Sequence, residues 1–127
     1  MNAHPLLLRL VPGDRLRFDA SVSLEAGDRG VRALAAADGW LWAVLGPGPP
    51  DFERSVLWRC PVARLRPGAV VRGEVVRDDL PPNAEGLVVA AGFIVVVTDG
   101  AEAEEGSERC LQPAGQLRLS LPPPHRD

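Results

Sequence analysis

The residues in this chain best placed to do chemistry are Arg32, Glu85 and Asp99. Arg32 and Glu85 stand 53 residues apart, at matching points of two similar apolar segments, and Asp99 follows the second segment just before Gly100. A guanidinium and a carboxylate at equivalent positions can bind a charged ligand together, or can pair with backbone groups or with each other. Asp99 can act as a metal or substrate ligand, or as the Asx-type turn residue that Asp before Gly commonly forms. The acidic run Glu102, Glu104, Glu105 and Glu108 has oxygen ligands for calcium but lacks the regular Asp/Asn spacing and the glycine of a calcium loop, so it reads as a solvated loop.

Other constellations are missing from the sequence. No Ser sits in a nucleophile-elbow setting, and no His-Glu pair has zinc spacing. Gly46 and Gly48 are flanked by prolines that lack N–H donors, with no Lys-Ser/Thr after them, so they cannot cradle a phosphate. His4 and His125 fall in the terminal tails. Cys60 and Cys110 fit neither a disulfide framework nor a metal site and read as buried free thiols. Trp40, Trp42 and Trp58, at strand spacing, read as core rather than as a stacking platform. No metal and no cofactor is expected.

The elements that must position these residues follow from composition and repetition. Thirteen Gly and thirteen Pro in 127 residues favour many turns over long helices. Net charge is −3, with no basic stripe, which argues against a nucleic-acid partner. All fourteen basic residues are Arg, a bias that fits GC-rich coding. The longest apolar stretch, 86–97, is too short to span a bilayer as a helix, and 1–10 is too short for a signal-peptide core, so a cytoplasmic protein without a membrane partner is expected.

The run 30–46 (GVRALAAADGWLWAVLG) aligns without a gap on 83–99 (NAEGLVVAAGFIVVVTD). Each copy reads as an apolar strand, a glycine turn (Asp38-Gly39 or Ala91-Gly92) and a second apolar strand. The runs are apolar at nearly every position, as expected of strands buried on both faces. Strands are predicted near 6–10, 15–24, 32–36, 40–45, 55–60, 70–76, 87–90, 93–98, 109–112 and 116–121. Units close on Leu-Pro-Pro at 80–82 and 121–123. The predicted fold is all-β, with antiparallel four-stranded blade-like repeats forming a partial β-propeller, or alternatively a compact β-sandwich. One domain spans 1–127: a half blade at 5–24, blades at 30–82 and 83–122, and a disordered tail at 123–127.

On these residues the chain resembles an uncharacterised bacterial β-propeller family, a domain of unknown function. The resemblance rests on GVRALAAADGWLWAVLGPG, SVLWRC and LPPNAEGLVVAAGFIVVVTDG, and covers 30 to about 121. A more distant similarity, in the Glu-Gly pattern, is to secreted phytase-like esterase propellers. The resemblance implies about two and a half blades, with earlier blades preceding Met1, and it places Arg32 and Glu85 facing an axial channel where ligands bind. It implies a fold rather than an activity. The expected function is a non-enzymatic binding or scaffold module; the alternative is a phosphate- or carboxylate-ester hydrolase using Arg32, Glu85 and Asp99. Self-association through open blade edges is also expected, with Val88, Ile94 and Val96 on the exposed face and two copies supplying five blades.

Overall fold

The computed structural model describes residues 5–13, 15–48, 53–98 and 115–120. Among them are ten strands: β1 (Leu6–Leu10), β2 (Phe18–Leu24), β3 (Val31–Ala37), β4 (Trp40–Leu45), β5 (Ser55–Pro61), β6 (Val70–Val71), β7 (Glu74–Leu80), β8 (Ala84–Ala90), β9 (Phe93–Thr98) and β10 (Gly115–Ser120). One 3-10 turn, Val62–Arg64, is the only helical element among the described residues. The protein is all-β, and no described helix is long and apolar enough to cross a membrane.

The strands form three sheets, ordered β1-β2-β6, β3-β4-β5-β7 and β8-β9-β10. All neighbours are antiparallel except β2 and β6. The sheets stack face to face. Val22, Leu24 and Val71 of the first sheet meet Leu41, Ala43, Leu45, Val56, Trp58 and Cys60 of the middle one. Trp42, Val44, Leu57 and Leu80 on its other face meet Ala84, Ile94, Val96 and Leu119 of the third. A core on both sides explains why WLWAVL is apolar at every position: odd and even side chains enter different cores.

The hairpins β3–β4 and β8–β9 are built alike. Leu34 pairs with Ala43 as Leu87 pairs with Val96. Each first strand carries one extra residue near its start, where Arg32 and Glu85 fall outside the pairing. The turns differ. Asp38 (φ 53°) and Gly39 (φ 83°) both lie in the left-handed region, the type I′ combination that suits strand twist. In the second hairpin only Gly92 (φ 84°) does.

Three expectations need correction. The strand predicted at 70–76 is two: Val70–Val71 pairs in parallel with β2, and Glu74–Leu80 closes the middle sheet. The break falls at Gly73, where a Cβ would lie 2.3 Å from the Trp58 ring and 2.4 Å from the Arg59 carbonyl oxygen. Only a residue without a side chain lets the chain pass so close to the indole. Second, the strand predicted at 116–121, expected to follow one at 109–112 in its unit, pairs directly with β9 and forms the edge of its described sheet. The strand predicted at 109–112, like Cys110 and the Leu-Pro-Pro at 121–123, lies outside the described residues. Third, Ile94 and Val96 are buried against the middle sheet, while Val88 is exposed and Val95 and Val97 are half-buried on the same outer face. An all-apolar strand gives no phase, so which set points inward was not readable from it.

Candidate functional site

β3 and β8 begin their sheets and run alongside one another, which brings the two bulges together. Arg32 Nη1 donates to Glu85 Oε1 at 2.5 Å. A bulge re-aims a side chain and interrupts regular pairing, and here it turns a guanidinium and a carboxylate toward each other across two sheets. Both side chains remain about two-fifths exposed (40% and 38%), so solvent reaches the pair. An exposed pair of this kind contributes about 0.2–1 kcal/mol, too little to hold the sheets together unaided.

Arg32 lies close against the backbone that follows β4. A Cβ on Gly46 would lie 2.7 Å from Arg32 Nε, so the arginine lies across a bare stretch of backbone. The Gly46 N–H donates to the Gly30 carbonyl at 2.8 Å. Arg29 Nη1 donates to the carbonyls of Gly46 (3.0 Å) and Arg54 (2.8 Å), tying together the segments on either side of β3–β4. The cluster is a partly exposed cation–anion pair over a glycine. It can offer hydrogen-bond donors and an acceptor to a small charged ligand. Asp99 lies outside the described residues, so the structure joins two of the three expected site residues. Among the described residues no three His, Cys, Asp or Glu side chains are grouped as metal ligands.

A second arrangement was missed in the sequence. Arg59, on β5, sits 4.0 Å over the Trp40 ring and 5.2 Å from that of Trp42, and its Nε donates to Glu74 Oε1 at 2.5 Å. Arg118, on β10, holds the same position over Phe93, at 3.9 Å, and pairs in register with Val95 as Arg59 pairs with Trp42. In the first sheet Arg9 of β1 bonds Asp19 of β2 (2.7 and 3.1 Å), as Arg59 bonds Glu74 of β7. The signal was present in the tripeptides Leu8-Arg9-Leu10, Trp58-Arg59-Cys60 and Leu117-Arg118-Leu119. Each places one Arg between two residues that belong to the opposite face. The unequal spacing of the three arginines along the chain obscures it.

Charge and burial set the ionisation of these groups. The Arg9 guanidinium, by its hydrogen bonds, holds the Asp19 carboxyl below its ordinary 3.8, and Arg77 does the same to Asp79. Burial pushes the Cys60 thiol above its ordinary 9.0, against the pull of Arg64, so this free cysteine is a neutral core residue and a poor nucleophile. Comparison of the chain with models of protein families, with curated proteins and with solved structures found no match.

Proposed function

We propose that the chain is a non-enzymatic binding or scaffold module of β-propeller type, with its ligand-binding end where Arg32 and Glu85 meet. One observation carries this reading: the first strands of two successive sheets converge, and each turns its single bulged residue into the shared space. Sheets that fan from a common edge of first strands are the arrangement of blades around an axis. The ligand is a small anion or zwitterion able to take donors from Arg32 while Glu85 orients the guanidinium.

Titration with inorganic phosphate and with acetate, followed by the arginine Nε–H resonances in NMR, tests the reading. A saturable shift of the Arg32 signal, lost in Arg32→Ala, is expected. The same protein should not hydrolyse p-nitrophenyl phosphate or p-nitrophenyl acetate above background, with or without calcium. Turnover abolished by Arg32→Ala would replace the module by the ester hydrolase.

A further inference from the structure

Each sheet has a face toward the preceding sheet, its front, and a face toward the following one, its back. The middle sheet shows what each face requires. Its front third-strand residues Val56, Trp58 and Cys60 are 4%, 2% and 0% exposed beneath the back of the first sheet. Its back, with Trp40, Trp42 and Val44, is covered by the front of the third sheet. The equivalents elsewhere are open. On the first sheet the front positions of β1 are Leu6, Leu8 and Leu10, at 61%, 50% and 55% exposure. On the third sheet the positions matching Trp40, Trp42 and Val44 are Phe93, Val95 and Val97, with Val88 beside them at 55%. Among the described residues no other sheet covers either face, and on the third only Arg118 of the same sheet lies over Phe93. One open face is therefore a front and the other a back, and inside the chain fronts pack on backs.

We propose that these faces join two copies of this chain head to tail, the β1 leucines of one molecule seated on the β8–β9 face of the next. The contact repeats the interface already formed between the middle and third sheets, so each apolar face meets the kind of surface that covers its equivalent. The proposal rests on the blade-like reading of the sheets. Two copies bring six sheets, within the roughly four to eight that can close a ring. Front-to-front pairing would repeat no contact found within the chain.

Sedimentation of the full chain at about ten micromolar tests this, with Leu8→Glu and Val88→Glu as probes. Both residues are at least half exposed, and unchanged circular dichroism and melting would confirm that the variants fold. The wild type should sediment as a dimer or larger. Each variant should be monomeric, its apparent Kd raised at least about tenfold by a charge on a buried apolar face. An equimolar mixture of the two should recover dimers, because Leu8→Glu keeps an intact back and Val88→Glu an intact front. A monomeric wild type, a Val88→Glu protein that still assembles, or a mixture that stays monomeric overturns the proposal. The ligand titration above is read on any oligomer, so failure here leaves the binding-module reading standing.

Discussion

The hairpins β3–β4 and β8–β9 share a register and a bulge but not an environment. β4 lies between two cores, and every residue from Leu41 to Leu45 is buried. β9 has one core, so Ile94 and Val96 are buried while Phe93, Val95 and Val97 are half-buried. Similar backbones therefore depend on their side chains to different degrees. The middle hairpin spends Trp40 and Trp42 on a closed interface with Arg59, whereas the third keeps smaller side chains on the open one. Substitutions at equivalent positions should expose this difference.

The largest contrast is expected at Trp42 and Val95. Trp42→Ala removes an indole that is 2% exposed and leaves Arg59 over a void, at a cost of about 3–5 kcal/mol. Val95→Ala trims a half-buried side chain and should cost less than about 1 kcal/mol. Urea unfolding curves of the two variants measure the gap, and equal costs would show that the third sheet's outer face is as closely packed as the middle one's.

Next come two glycines with different neighbours. Gly73→Ala drives a Cβ into the Trp58 ring and the Arg59 carbonyl, neither free to move, and should cost about 1–3 kcal/mol. Gly46→Ala meets only the Arg32 side chain, which can swing aside, so its cost should stay below about 1 kcal/mol. The Gly46 variant should instead weaken the Arg32–Glu85 pair, seen as a loss of the anion-dependent NMR shift. The two urea midpoints separate backbone obstruction from displacement of a flexible side chain.

The turns should differ more modestly. Asp38 adopts a positive φ that Asp tolerates and Ala does not, so Asp38→Ala should cost about 1 kcal/mol. Ala91, its counterpart, has no positive φ, and Ala91→Asp should stay within about 0.5 kcal/mol. Thermal melts of both variants check whether turn type, not only turn position, separates the hairpins.

These contrasts show which parts of the structure were legible. The 40–45 and 93–98 strands were readable to the residue, because an apolar run after a glycine turn has few other solutions. The matching of Arg32 with Glu85 was readable from alignment; their contact was not, since it depends on how two sheets meet. The break at Gly73 was hidden because Val71, Gly73 and Val75 alternate like one continuous strand, and the ring that forbids a Cβ there lies fifteen residues earlier. The direct pairing of β10 with β9 was not legible, because an amphipathic strand fits an edge without showing which strand it pairs with. Arg118 over Phe93, matching Arg59 over Trp40, fixes it as third.

The smallest effect is electrostatic and compares the first sheet's arginine with the middle sheet's. Arg59 is largely enclosed, its side chain 16% exposed, whereas Arg9 and Asp19 are open to solvent at 66% and 48%. Arg9 lowers the Asp19 pKa in the folded protein below 3.8, so between the two values the unfolded chain binds more protons than the folded one. The pair's contribution is therefore present above about pH 4 and lost as pH falls through the folded value. Asp79 beside Arg77 behaves in the same sense. Asp19→Asn removes one of these terms, and its urea midpoint should fall less than the wild type's between about pH 5 and pH 3. The difference should shrink further in about 0.5 M salt, because both partners are exposed and screened. An unchanged acid limb in Asp19→Asn would mean that this pair orients side chains without stabilising the first sheet. The repeated arginine contacts of β1 and β5 would then have their energetic weight only where Arg59 is enclosed over the tryptophans.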